Sequence, residues 1–273
     1  MAMEYVKTGS WNRDAEDYTR LASTATPILY SSLSADAVPK YTNRSKWVVI
    51  EDQGQQGSCA GQAATTCAEI ARVLAGGKLI QLSRQGAYIM AQKRDNITGD
   101  RGSTIAGNID VMLNSGHVLE SVWPYPNGYS AQIPSGYASA TKYKMAGHSP
   151  MRSFDDVVKH IGLLGPIDIG VNWTSELDRM VSNNNGLITS WPTGRGGGHS
   201  VVLSDLYILD FDGNPLPGDD PWIGLDNSWS LRWGIKGRAM LNRRAIEGMI
   251  GMRDNVVEGV YGVAEPPIEF QMT

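Results

Sequence analysis

The sequence predicts an α+β protein, a helical first half followed by an antiparallel β-rich second half. Three observations carry this. Small and apolar residues recur at helical spacing between positions 58 and 116. Short β-branched runs set off by turn signals dominate positions 167–241. At roughly 150 residues per domain, 273 residues make about two folding units, and the order of helices before strands is the α+β pattern. With 41% hydrophobic and 19% charged residues, wholesale disorder is excluded.

Taken in order, residues 1–35 are a polar, Ser/Thr/Ala-rich extension with helix-like patches and no sustained period. Val38-Pro39 leads into the apolar run Trp47–Ile50, and a Gly/Gln-rich turn follows at 52–58. Ser58 then reads as the N-cap of a helix stopped by Gly76-Gly77. Ala60, Ala63, Ala64, Cys67, Ile70, Ala71 and Leu74 line its apolar face. Further helices are expected from Ser83 to about Lys93 and from Ser103 to Ser115, before Gly116. A fourth, at 153–164, opens with Ser153 and Asp156 in a capping-box arrangement. Strands are expected at Ile167–Val171, Ser200–Leu209, Trp222–Leu225 and Arg238–Leu241, with a turn at Asp212-Gly213. Gly194–Gly198 reads as a flexible approach to His199.

The net charge is −4 with no basic run, which argues against a nucleic-acid partner. No apolar run nears the roughly 18 residues that span a bilayer, and the first residues lack a secretory apolar core. Only Cys59 and Cys67 are present, so no disulfide framework is expected. Eight residues along one helix would separate them by about 12 Å, too far for a bridge. These features point to a cytoplasmic setting, with a phage particle as the other one they allow.

Three segments stand out as chemistry. Gln53-Gly54-Gln55-Gln56-Gly57-Ser58-Cys59-Ala60 delivers a cysteine to a helix start, where partial positive charge stabilises a thiolate. Gly196-Gly197-Gly198-His199-Ser200-Val201-Val202 puts a histidine at the head of a strand. Asn227-Ser228-Trp229-Ser230-Leu231-Arg232-Trp233-Gly234 offers an amide and an aromatic cover. A thiolate nucleophile needs a neighbouring base, and that base needs an orienting group. Cys59, His199 and Asn227 are one of each.

These segments resemble the papain family of cysteine proteases across about residues 36–262. The family places Gln six residues before its nucleophile, as Gln53 precedes Cys59. Its G-H-A-V matches Gly198-His199-Ser200-Val201, and its N-S-W-G-x-x-W-G-x-x-G matches Asn227 through Gly237, with Ser230 for Gly. Trp123-Pro124-Tyr125 and Pro166–Val171 are weaker matches. His199 lies about 140 residues after Cys59, inside the roughly 130–150 window of the family. Asn227 falls beyond that window, which an enlarged hairpin around Ile208–Pro221 would explain. The resemblance implies a papain-like two-domain fold with the active site in the cleft between the parts. A helical left domain (36–130) would carry Cys59. An antiparallel β-barrel-like right domain (131–265) would carry His199 and Asn227, leaving a tail at 266–273. It implies an oxyanion hole from the Gln53 amide and the Cys59 N–H, with Trp229 shielding the His199–Asn227 contact. It implies a peptide or protein substrate and no cofactor or metal.

The chain departs from the pattern in places. Ala60 replaces the usual Trp, Gln56 replaces a disulfide Cys, and Gly198 stands where many relatives have Asp or Asn. Asp100-Arg101-Gly102-Ser103 takes the place of a C-N-G-G segment, so Gly102, Ser103 and Gly198 are the expected substrate-strand contacts. Cys67, His117, His148 and His160 lack such company and read as structural. Gly194–Gly198 has no Lys-Ser/Thr pair after it and is a poor phosphate loop. Asp226 reads as a solvated loop acid, and Glu51 with Asp52 as an acidic cleft mouth favouring basic peptides. Two other readings stand beside a peptidase. One is an idle papain-like module in a larger assembly, which the intact Cys/His/Asn/Gln set opposes. The other is a cell-wall amidase of the NlpC/P60 or CHAP kind, in which Cys and His lie closer together and the Asn-Ser-Trp segment is missing. Too short for the family's pro-segment lobe, the extension is expected to dock on the outside of the body through Tyr18, Leu21, Ile28 and Leu29. The alternative is a short plug removed near Ala35.

Overall fold

The computed structural model describes residues 11–264. A short helix α1 (Tyr18–Thr24) is followed by α2 (Cys59–Leu74), α3 (Arg84–Arg94) and α4 (Ile105–Asp110), the last continuing as a π turn over Val111–Ser115. Then come β1 (Met145–Pro150), α5 (Phe154–Leu163), β2 (Ile167–Trp173), α6 (Ser175–Asn183), β3 (Leu187–Ile188), β4 (Gly197–Tyr207), β5 (Trp222–Asp226), β6 (Arg238–Leu241), α7 (Arg243–Ile250) and β7 (Val256–Val263). The strands form one seven-stranded sheet in the order β1-β7-β2-β4-β5-β6-β3. It is antiparallel except for the β3–β6 pair, and it stays open, with β1 and β3 as its edges.

Burial explains this layout. Every residue of β2 is buried, because β7 and β4 flank it and α2 and α5 pack near its two faces. The sequence of β2 still alternates, Ile167, Ile169, Val171 and Trp173 with Asp168, Gly170 and Asn172 between them, and the packed neighbours bury both sets. Ile167, Ile169 and Val171 join Val157 and Ile161 of α5 in one core, while α2 brings Ala60, Ala64, Cys67, Ala68 and Ala71 to a second. The small side chains of α2 allow close approach. A Cβ on Gly61 would lie 2.9 Å from the Tyr88 backbone nitrogen of α3.

A buried ion pair sets the angle between α2 and α3. The Arg84 guanidinium grips the Glu69 carboxylate at 2.7 and 2.9 Å, and Glu69 also accepts the Leu82 N–H. Glu51 approaches Arg84 at 3.2 Å, so it is drawn into this pair rather than left to charge the cleft mouth.

Several expected boundaries move. Ser58 stands at the N-cap position of α2 but makes no side-chain cap bond; its hydroxyl pairs with the Tyr125 hydroxyl at 2.5 Å. Thr104, not Ser103, caps α4 by accepting the Gly107 N–H. Ser153 caps α5 by accepting the Asp156 N–H, but the Asp156 carboxylate returns to the Arg152 N–H, so the reciprocal box is displaced by one residue. Gly197 and Gly198 are already part of β4, paired with Trp173 and Asn172, so the glycines before His199 are not a loose approach.

Five elements escape sequence reasoning: β1, β3, β7, α6 and α7. β1 and β7 are interrupted by glycines and a proline. β1 is an edge strand, where Pro150 costs no inner ladder bond. α6 and α7 are too short to show a period, and they bury only Leu177 with Val181 and Ala245 with Ile246 and Met249. Among the described residues, no helix is long and apolar enough to cross a membrane.

Candidate active site

Cys59 is the first residue of α2, and its sulfur accepts the Ser200 N–H of β4 at 3.2 Å. That contact joins the helical part to the sheet one residue beyond His199. Both Cys59 and His199 are buried. His199 Nε2 lies 2.8 Å from Asn227 Oδ1, which also accepts the Ser228 N–H at 2.8 Å. An amide oxygen accepts, so Nε2 carries its proton towards Asn227 and Nδ1 is the ring nitrogen left for acid–base work. Asn227 itself is placed by its N–H to the Gly237 carbonyl.

Trp229 stacks on the His199 ring, with centroids 4.3 Å apart and planes at 22°. Trp173 of β2 meets the same imidazole edge-on at 5.2 Å. Trp233 packs against both tryptophans. The indole N–H groups of Trp173 and Trp233 both donate to Asp178 Oδ1 at 3.1 Å. The predicted single shield is therefore a cage, and α6 secures it through Asp178. Neither Trp173 nor Asp178 stands in a motif that could have revealed it.

Gln53 is buried beside this cage. Its Oε1 accepts the Ser228 hydroxyl at 2.7 Å, and its Nε2 donates to the Gln56 carbonyl at 2.9 Å. The Gln53 N–H donates to the Ser228 carbonyl, so the glutamine loop and the Asn-Ser-Trp loop are cross-linked twice. The Tyr125 hydroxyl also donates to the Gln53 carbonyl at 3.0 Å. The structure thus gathers Gln53, Cys59, His199, Asn227 and Trp229 into one locality. Cys67 lies apart in the core, where burial pushes its thiol well up and keeps it unreactive.

Two acids differ from expectation. Asp226 ends β5, buried and paired with Arg238 at 2.9 Å; burial pushes its carboxyl up to about 6 against the pull of that arginine. It is not a solvated loop acid, because β6 brings Arg238 directly opposite it. Asp168 of β2 is also fully buried; desolvation pushes it up to about 8 while the Ser200 hydroxyl donates to its Oδ1 at 3.0 Å. His117, His148 and His160 are buried structural residues. His148 bonds Glu258 at 2.8 Å and Thr24 at 3.0 Å, and His160 bonds the Tyr30 hydroxyl at 2.8 Å.

The expected substrate contacts lie on the two sides of a slot. Asp100 Oδ1 accepts the Gly57 N–H and the Tyr88 hydroxyl, both at 2.8 Å, which ties the segment preceding Gly102 and Ser103 to the loop before Cys59. The slot is filled by the extension. The Trp11 N–H donates to the Gly198 carbonyl at 3.3 Å and the Asn12 N–H to the Ser103 carbonyl at 3.0 Å. Gly102 takes a left-handed φ of 76° beside this contact, and its carbonyl accepts from Gln92 Nε2. The extension therefore does not lie wholly on the outside. Leu21 is buried, Ile28 packs on the main core, and the Tyr18 hydroxyl donates to the Asp254 carbonyl, but Leu29 is exposed. Apolar docking was legible; the contacts of Trp11 and Asn12 were not, because they are made by backbone groups.

A thiol at a helix start, an imidazole on the facing strand and an orienting amide define a thiol–imidazole site at the junction of helix and sheet. The chain belongs to the papain family of cysteine proteases, whose family profile matches residues 38–260. It is 24% identical over 235 residues to a cysteine protease of Blomia tropicalis, covering 83% of this chain and 67% of that one. It is 24% identical over 213 residues to cathepsin K of Gallus gallus, covering 78% and 60%. The chain thus spans about three-fifths to two-thirds of the length of these relatives. Among solved structures, it is similar to xylellain, a cysteine protease from Xylella fastidiosa. The TM-score is 0.69 at 20% identity, over 94% of this chain and 96% of that one.

Proposed function

We propose that this protein hydrolyses peptide bonds through a Cys59 thiolate and a His199 imidazolium. The observation that carries this reading is the 2.8 Å His199–Asn227 contact, which directs Nε2 away from the thiol and reserves Nδ1 for it. Cys59 Sγ attacks the scissile carbonyl carbon, and the carbonyl oxygen takes up the negative charge. The Cys59 N–H and the second Nε2 proton of Gln53 stabilise that oxyanion. His199 gives its Nδ1 proton to the leaving amine, and a thioester to Cys59 remains. Water then attacks the thioester while His199 takes its proton, which releases the carboxylic acid and restores the ion pair. The tryptophan cage keeps water from the His199–Asn227 bond, so the ring holds one tautomer through both half-reactions.

Brief treatment with iodoacetamide at mildly acidic pH, followed by peptide mapping, tests this. Carbamidomethyl label is expected on Cys59 and not on Cys67, and His199→Ala should slow the labelling. Equal labelling of both thiols, or a rate untouched by His199→Ala, would overturn the assignment.

A further inference from the structure

Cys59 meets the sheet at the end of a buried polar stripe. In an antiparallel pair, directly opposite residues put their side chains on one face. Asp168 of β2 lies opposite Glu258 of β7 on one side and Val202 of β4 on the other, so it shares a face with Ser200, two residues before Val202. On that face Val202, Val256 and Val260 pack with Cys59, Ala63 and Cys67 of α2. Polar groups cross this apolar layer in a row. Thr24 bonds His148 of β1 at 3.0 Å, and His148 bonds Glu258 at 2.8 Å. Glu258 faces Asp168 across the ladder. Asp168 Oδ1 accepts the Ser200 hydroxyl at 3.0 Å, and the Ser200 N–H donates to Cys59 Sγ at 3.2 Å.

Asp168 Oδ2 has no hydrogen-bond partner among the described residues. A buried carboxylate with one bonded oxygen costs far more than the neutral acid, so Oδ2 holds a proton at neutral pH. Burial pushes the carboxyl up, the Ser200 hydrogen bond opposes this, and the charges of Glu16 and Glu258 add to it. Cys67 lies close enough to feel the same acid. β5 joins β4 only from Val202 onward, so at Ser200 the strand has β2 on one side and Cys59 on the other. The papain-family pattern G-H-A-V has Ala where this chain has Ser200, so the hydroxyl that binds Asp168 is a feature of this chain.

We propose that Asp168 is a positioning residue for Cys59, holding Ser200 so that its N–H stays on the sulfur. This rests on reading Cys59 as a thiolate nucleophile. A hydrogen bond to the charged form lowers a thiol pKa, and a like charge beside it raises one. A neutral Asp168 supplies the first through Ser200 without the second.

The test reads Cys59 without substrate. Iodoacetamide alkylation of the full-length chain is followed from about pH 4 to 8, with peptide mapping to separate Cys59 from Cys67. The rate follows the thiolate fraction, so its acid limb reports the Cys59 thiol. Asp168→Val removes the acceptor with a side chain that suits a strand. Its limb is expected to move up by about one pH unit, which is about tenfold slower reaction below the limb. Asp168→Asn keeps an oxygen for Ser200 and should restore the rate to within about twofold of wild type. Ser200→Ala, which keeps the acid, should move the limb as Asp168→Val does, and the double variant should move it no further. It is the second line should Asp168→Val fold poorly. A purely structural role would change the urea midpoint and leave the limb in place. Coincident limbs in all these proteins, or a limb that moves as far in Asp168→Asn as in Asp168→Val, would overturn the proposal. Peptide cleavage by the wild type is read separately. The expected shifts in a chain that cleaves no peptide would support the positioning role and refute the peptidase reading.

Discussion

Asp168 offers a direct test of how the sheet beside Cys59 is held together. It lies fully buried in β2, between α2 and the start of β4, and holds the hydroxyl of Ser200, whose N–H meets Cys59 Sγ. Desolvation is the largest influence on it and pushes it from an ordinary 3.8 up to about 8; the Ser200 hydrogen bond opposes this without cancelling it. Between those two pH values the folded state keeps a proton that the unfolded chain has released. Stability from this group is therefore full below about pH 4 and is lost as pH rises towards about 8. Each pH unit across the window corresponds to about 1.4 kcal/mol, which makes the whole loss on the order of 5 kcal/mol. Asp168→Asn keeps a carbonyl oxygen for Ser200 and cannot ionise. Urea unfolding at about pH 5, 7 and 9 should find the variant near or slightly below wild type at the lowest pH and increasingly more stable than it above. A stability difference that stays constant across that range would refute the reasoning.

Four further outcomes follow from the geometry. Gln53→Ala should lower kcat by roughly 10²–10³, the usual loss for one oxyanion donor, and Asn227→Ala should cost less than His199→Ala because it orients the ring without reacting; steady-state kinetics on a peptide substrate would contradict these roles if Gln53→Ala kept the wild-type kcat or Asn227→Ala cost as much as His199→Ala. Ser230 adopts a left-handed φ of 64°, so Ser230→Gly should stabilise by about 1 kcal/mol, and a drop in the urea midpoint would contradict the strain. Arg84→Met strands the Glu69 carboxylate in the core and should cost roughly 3–5 kcal/mol, read as a lowered midpoint at neutral pH.

The residues gathered at the candidate site were legible because they are chemically distinctive and lie in local patterns. Gln53 and Cys59 share one turn, His199 heads a strand, and Asn227, Trp229 and Trp233 share one loop. Ser230 also fits this account. The family pattern has Gly there, and the left-handed backbone at Ser230 shows the physical reason. What stayed hidden depends on pairing across space. β7 is inserted between β1 and β2, far from its sequence neighbours, and its Gly259 is needed because a Cβ there would lie 2.5 Å from His160 Cε1. Asp226 reads as a loop acid in one dimension. It becomes a buried ion-pair partner only once β6 sets Arg238 opposite it. Glu51 likewise looks like cleft charge until α3 brings Arg84 within 3.2 Å.

The occupied slot shows why residue type alone misleads in this chain. Gly170 sits in a strand, where glycine weakens packing and has no evident use; Trp11 sits in a polar extension where an isolated aromatic predicts little. Each explains the other: the missing side chain makes the pocket, and the indole fills it. Glu16 completes the set, since its half-buried carboxyl, its pKa raised by desolvation, is held by the indole N–H and two helix amides. Gly170 and Trp11 connect to the site through backbone. Gly170 pairs with Ser200, Ser200 touches the thiol, and Gly198 holds Trp11 one residue before the imidazole. The ladder that positions Cys59 and His199 is thus the same ladder that receives the extension. A side chain added at Gly170 should therefore disturb the occupant before it disturbs the chemistry.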